Sequence, residues 1–301
     1  MKMLAAETAL ARYEAVRHRL PPVRRMGACE AVADLSALAD RFDTFLLDAF
    51  GVLNIGEEAI PGVPDRIAAL QSAGKRVMVV TNAASVPHAA LVEKYARLGY
   101  HFAPQDVISS RDALLSQFRP DPDQNWGVMV PPELQDGALD GLPLTILSDD
   151  LSAYDRVDGV LMLGSSGWSD KHQSLLAQSL RRNPRPIWVG NPDIVAPRQN
   201  GFSVEPGYYA HDLADQLGIE PQFYGKPFSN IYNFAFTRVG RDIDPRRVLM
   251  VGDSLHTDIL GAQTAGIASA LVTGYGFLAG LDAQQEIART GISPDFLLAR
   301  P

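Results

Sequence analysis

Apolar residues fall into short runs rich in leucine and β-branched residues, separated by stretches with helical spacing. The run Phe45-Leu46-Leu47 ends on Asp48-Ala49-Phe50-Gly51. A buried strand that delivers a carboxylate and then turns is predicted there, because open α/β sheets bind ligands at the carboxyl ends of their strands. Arg76-Val77-Met78-Val79-Val80 repeats the pattern and ends on Thr81-Asn82, and Val248-Leu249-Met250-Val251 ends on Gly252-Asp253-Ser254. Between these runs, Ile67 and Leu70 share one face of a helix over Val63–Ala73. Leu91, Tyr95 and Leu98 mark another, with Ser85 as its expected N-cap and Gly99 as its stop. Strands at Val107-Ile108-Ser109 and Ala268–Val272, and helices over Asn230–Val239 and Thr257–Ala265, complete an alternating pattern. Such alternation indicates a parallel sheet with helices on both faces.

A second α/β pattern lies between. A helix over Arg111–Phe118, strands at Gly127–Val130, Gly159–Leu163 and Ile187–Val189, and a helix over Asp170–Arg181 make a βαβ unit. The expected division is therefore a Rossmann-like doubly wound core, 1–109 and 208–301, with an inserted α/β cap over 110–207. Residues 1–40 form an N-terminal extension. Leu4, Leu10, Val16 and Leu20 suggest a partly amphipathic helix stopped at Pro21-Pro22, and a second short helix is expected over Ala28–Ala39. Packing on the core and a contact between copies of the chain both remain open for it.

Composition narrows the function. The 301 residues include 27 basic and 35 acidic ones, for a net charge of −8, which disfavours nonspecific binding to nucleic acid or to an anionic membrane. Cys29 is the one cysteine, so no intrachain disulfide forms. No apolar run reaches the ~18 residues of a membrane span. With no continuous apolar core near the N-terminus, a cytoplasmic location is expected.

Four motifs in order carry a resemblance: Asp48-Ala49-Phe50-Gly51, Thr81-Asn82, Gly225-Lys226-Pro227, and Gly252-Asp253-Ser254-Leu255-His256-Thr257-Asp258. With the entry Ala59-Ile60-Pro61-Gly62-Val63 they resemble the haloacid dehalogenase superfamily over roughly residues 41–280. Within it they look like the phosphatases whose large cap follows the second motif, the class IIA group. The resemblance implies that Asp48 attacks phosphorus, as a carboxylate nucleophile can. Lys226 would hold the developing charge, Thr81 and Asn82 would face the phosphate, and Asp258 would orient Lys226 or a metal-bound water. It further implies Mg²⁺, held by Asp48, Asp253 and the backbone carbonyl of Phe50, since hard oxygen ligands suit that ion. Gly190-Asn191-Pro192-Asp193 resembles a cap motif facing the core, which would put Asn191 and Asp193 at the substrate. A simple Asn-Pro turn is the alternative.

One position departs from the pattern. The phosphatases of this family carry a second aspartate two residues after the nucleophile, as proton donor and base. Here that residue is Phe50. General acid–base catalysis contributes ~10²–10⁴-fold, so its loss would be felt. Three readings follow: a phosphatase of small phosphate esters with good leaving groups or another acid, a haloacid dehalogenase, or a phospho-ligand-binding protein without turnover. The acidic fourth motif and the short Leu53–Thr81 interval, with no room for a domain, argue against the dehalogenase. His256, His172, His211 and His88 are candidate replacement acids, with His256 nearest the acidic loop.

Overall fold

The computed structural model describes residues 3–131, 144–198, 201–240 and 243–301. Seven parallel strands form the larger sheet, in the spatial order Glu30–Val32, Phe296–Leu298, Ala268–Val272, Val248–Gly252, Thr44–Leu47, Arg76–Thr81 and Val107–Ser109. Its strands read as continuous apolar runs because both faces are covered. Phe45, Leu47, Val79 and Val251 pack to one side with Leu70, Leu91 and Tyr95, whereas Leu46, Met78, Val80 and Met250 pack to the other with Ile231, Tyr232 and Ala262. Each such large side chain contributes about 1.5–3 kcal/mol on burial.

A five-stranded parallel sheet lies apart from it, ordered Gln222–Phe223, Ile187–Val189, Gly159–Met162, Trp126–Met129 and Leu144–Ile146. The fold is thus α/β, with a Rossmann-like larger sheet and a second α/β layer inserted after Val107–Ser109. A hairpin, Asn54–Ile55 with Glu58–Ala59, follows the first acidic turn as a small flap.

Several expectations shift in detail. The larger sheet is rejoined later than residue 208. Helix Pro206–Leu217 packs Tyr209, Ala210 and Leu213 against Leu176, Ile187 and Val189, and Trp188 pairs with Gln222. Alternation along a sequence marks elements but carries no label for the sheet each one joins. The helix expected over Ala28–Ala39 is absent. Glu30–Val32 instead pairs with Phe296–Leu298, and a 3₁₀ turn spans Leu35–Leu38 with Asp34 as its cap. Ladder bonds on the sheet edge override local helix propensity, which tertiary context routinely outweighs even for alanine. The next helix starts at His88 rather than after Ser85, because Pro87 biases Val86 towards extended backbone. The expected cap stretch 110–207 includes residues 132–143 and 199–200, which lie outside the described residues.

The N-terminal extension packs on the rest of the chain. Ala9, Leu10, Tyr13, Val16 and Leu20 join Leu255, Ile259, Leu260 and Phe277 in one cluster. Met3–Leu4 adds a third strand to the hairpin Val195–Arg198 and Gly201–Val204. Arg12 and Arg19 both pair with Asp215 of helix Pro206–Leu217, at 2.8 and 2.7 Å. The extension therefore touches both layers. Among the described residues, no helix is long and apolar enough to cross a membrane.

Candidate active site

Register places the acidic residues together. Leu47 lies opposite both Val251 and Val79 in the larger sheet, and the Asp48 N–H donates to the Val251 carbonyl at 2.9 Å. Three central strands thus end at one level, and Asp48, Asp253 and Thr81 emerge on the same edge. Oxygens of Asp48, Asp253 and Asp258 lie within 4.8 Å of one another. Lys226 enters from the loop after Gln222–Phe223 and bonds Asp48 at 2.5 Å and Asp258 at 2.7 Å. The lysine is 2% exposed and Asp258 fully buried, so this is an interior ion triad.

Local structure holds each member. One turn of π-helix, Leu255–Ile259, precedes helix Leu260–Ala265 where a plain helix was expected. Such widened turns are frequent at functional sites. Here Asp258 folds back, and one of its oxygens accepts the N–H groups of Asp253 and Ser254, both at 3.1 Å. The Phe277 N–H donates to Asp253 at 2.7 Å. Gly276 makes that approach possible: its φ is +73°, and a Cβ there would lie 1.8 Å from the Asp253 carboxylate. Asn82 ties the remaining pieces together. Its carbonyl oxygen accepts the Lys226 N–H at 2.8 Å, and its amide donates to the Lys226 carbonyl at 3.0 Å and to Asp193 at 2.8 Å. Gly225 admits Asn82 so closely that a Cβ would meet its oxygen at 2.5 Å.

These residues open on a cavity of about 230 Å³ between the two sheets' loops. Asp48, Phe50, Thr81, Asn82, Asn191, Asp193, Lys226 and Asp253 line it, and Asp258 stands behind Lys226. All the residues expected at the site are therefore brought together. Asn191 and Asp193 reach it from the loop after Ile187–Val189. The Asn191 amide donates to Glu205 at 3.2 Å, and the Asp193 N–H donates to the Asn191 side-chain oxygen at 3.0 Å. The Asn-Pro segment is thus both a turn and a wall of the cavity.

Sequence reasoning missed Tyr13. This residue of helix Ala6–Ala15 lines the cavity, and its hydroxyl accepts the Ile194 N–H at 3.1 Å. Its pattern was that of a buried helix face, and nothing in that pattern tells a core tyrosine from a site tyrosine. The four histidines do not reach the cavity. His256 is fully buried, stacked on Tyr13 at 4.7 Å with its Nε2 2.5 Å from Glu14. His172 caps a helix, His88 pairs with Asp112, and His211 is buried against Phe223. Sequence proximity misleads for His256, because its ring meets Glu14 and Tyr13 of the N-terminal helix whereas Asp258 meets Lys226.

Charge in the cavity is unbalanced. Five acids line it, Asp48, Glu57, Asp193, Glu205 and Asp253, against the two lysines Lys94 and Lys226. Burial pushes the Asp48 carboxyl up to about 6, with Lys226 opposing the shift and Asp258 adding to it. Burial, then Asp48 and Asp258, likewise raise Asp253. Burial alone would lower Lys226, but Asp258 and Asp48 more than reverse this. Crowded, partly desolvated carboxylates with one shared ammonium are what a hard divalent cation would relieve.

The fold and this carboxylate–lysine cluster define an α/β protein with a candidate active site at its strand ends. Residues 45–139 match the family described as haloacid dehalogenase-like hydrolase, and residues 223–299 match a HAD-hydrolase-like family. A glycerol-3-phosphate phosphatase of Gallus gallus is 32% identical, covering 91% of this chain and 94% of its own. Phosphoglycolate phosphatase 2 of Arabidopsis thaliana is 26% identical over 88% and 92% of the two chains. A crystal structure described as a possible sugar phosphatase of the same superfamily, from Cytophaga hutchinsonii, superposes with a TM-score of 0.77 at 26% identity, covering 91% of this chain and 98% of that one. The chain belongs to the haloacid dehalogenase-like hydrolases, in their class IIA phosphatase branch.

Proposed function

We propose that this protein is a Mg²⁺-dependent phosphatase that hydrolyses a small phosphate monoester through an aspartyl-phosphate on Asp48. The arrangement of Asp48, Asp253 and Asp258 around the buried Lys226, at the floor of a small cavity, carries the reading. Asp48 is the in-line nucleophile. Lys226 balances its charge and that of the incoming phosphate, and Asp258, locked by two backbone N–H groups, keeps the ammonium in place. Thr81 and Asn82 face the transferring group from the neighbouring strand end, and Asn191 and Asp193 face the substrate from the other side. Asp48, Asp253 and the Phe50 carbonyl would hold Mg²⁺, which when bound neutralises the carboxylates and polarises the phosphate. The chain would divide into a core and a cap that excludes water, with the cap running on to about residue 223.

Relatives named for glycerol 3-phosphate and phosphoglycolate support a small phosphorylated metabolite, and a cavity of about 230 Å³ has that scale. Phe50 carries no proton, so turnover favours good leaving groups unless another group supplies one. The test is hydrolysis of para-nitrophenyl phosphate by the native chain and by Asp48→Asn, with Mg²⁺ and with a chelator. Turnover that requires both the carboxylate and the ion is expected. An Asp48→Asn protein as active as the native one would sink the aspartyl-phosphate.

A further inference from the structure

We propose that Asp193 is the proton carrier that position 50 lacks: its carboxyl protonates the leaving oxygen and then activates the water. The inference rests on the phosphatase reading above and assigns to it one further catalytic residue. Displacement in line from Asp48 puts the leaving oxygen on the far side of phosphorus. Asp48 follows a strand of the larger sheet, and Asn191, Asp193, Val195, Ala196 and Pro197, which follow strand Ile187–Val189 of the other sheet, line the same cavity. Asn191, Val195, Ala196 and Pro197 have no proton to release near neutral pH, and Asp193 does.

One hydrogen bond holds the carboxyl, and two more hold the backbone on either side of it. One oxygen accepts the Asn82 amide at 2.8 Å, beside the residue that would grip the phosphate. Its own N–H is fixed on Asn191, and the following N–H, of Ile194, on Tyr13. Among the described residues its second oxygen has no hydrogen-bond partner. Asp48, Glu205, Tyr13 and Lys226 are the titratable groups that face it from the surrounding elements. Burial is the main influence, opposed by Lys226 and Asn82 and reinforced by Asp48 and Glu205, and it raises the carboxyl to about 8. A protonated acid is therefore present at neutral pH.

The step balances. An Asp48 oxygen bonds to phosphorus as the ester bond breaks, and the bond's electron pair passes to the leaving oxygen, which takes the Asp193 proton. The Asp193 carboxylate then takes a proton from water as the water oxygen bonds to phosphorus. The aspartyl bond breaks, its pair returns to Asp48, and both carboxyls end as they began.

Asp193→Asn tests the assignment because it keeps an oxygen for Asn82 but moves no proton. The full chain with Mg²⁺ is assayed on glycerol 3-phosphate, an alkyl ester, and on para-nitrophenyl phosphate, whose leaving group needs no proton. Steady-state hydrolysis of the alkyl ester should fall ~10²-fold or more. The aryl ester should instead give a burst of one nitrophenolate per enzyme, followed by slow turnover, because only dephosphorylation is impaired. Adding Phe50→Asp to the variant should restore alkyl turnover. Equal fractional losses on both esters without a burst would make Asp193 structural and overturn the proposal, as would unchanged rates. Native-like turnover by Asp48→Asn would instead overturn the phosphatase reading beneath it.

Discussion

Replacing Lys226 with methionine keeps an unbranched side chain one atom shorter and removes the cation that bridges Asp48 and Asp258. Lys226 is 2% exposed, Asp258 fully buried and Asp48 14% exposed, so water screens the cluster poorly. Two charge-assisted hydrogen bonds, at 2.5 and 2.7 Å, are lost together. Removing one partner from a buried ion pair costs about 3–5 kcal/mol, because the remaining charge is left desolvated. Asp258 keeps two N–H donors, which places the expectation at the lower end, ~3 kcal/mol near pH 7.5. The pH dependence has a definite sign. Burial pushes the Asp48 carboxyl up to about 6 in the native fold with Lys226 still opposing the shift, so in the variant Asp48 is raised further, well above the unfolded value of about 3.9. The folded variant then binds more protons than its unfolded chain, and its stability declines as pH rises from about 4 through that elevated pKa. In the native protein the contribution of Asp48 levels off near pH 6, whereas that of Asp193, raised to about 8, continues in both proteins. The gap between the two should therefore widen between pH 6 and 8 and shrink at pH 5, by ~1.4 kcal/mol for each pKa unit of difference. Urea denaturation of both proteins in chelator at pH 5, 6.5 and 8 measures it. A variant within 1 kcal/mol of native at pH 8, or a deficit that is larger at pH 5, would refute the view of Lys226 as the counter-ion of a buried carboxylate pair.

Two further substitutions probe the supports of the site. Gly276→Ala forces a side chain into a left-handed backbone position and onto the Asp253 carboxylate, so calorimetric Mg²⁺ affinity should fall at least ~10-fold and stability by ~1–2 kcal/mol; native affinity would show that Asp253 needs no such cradle. Tyr13→Phe preserves the stack on His256 but leaves the buried Ile194 N–H without its acceptor. It should cost ~1–3 kcal/mol and speed hydrogen exchange at that amide, and unchanged exchange would mean that the N-terminal helix does not pin the Asp193 loop.

The floor of the site was legible in the sequence because it depends on a local rule. Apolar runs that end in Asp48, Thr81 and Asp253 are strands with chemistry at their carboxyl ends, and parallel register then brings those ends to one level. Asn82, Lys226 and Asp258 were singled out by the resemblance of four ordered motifs to a known family, not by any rule of local structure. The α/β class and the second α/β layer were legible because alternation of elements is a local pattern.

Tertiary structure decided what local patterns cannot encode. Glu30–Val32 became a strand because the sheet had an open edge beside Phe296–Leu298. Residues 206–223 joined the smaller sheet because Trp188 and Gln222 pair and Tyr209, Ala210 and Leu213 bury against its helix. His256 lies next to the acidic loop in sequence yet meets Glu14, because the N-terminal helix packs on that segment. Tyr13 and Asp48 are 35 residues apart in the chain and line one cavity. Which distant side chains meet depends on the packing of whole layers, where burial of apolar area is summed over many residues and no single stretch carries the signal.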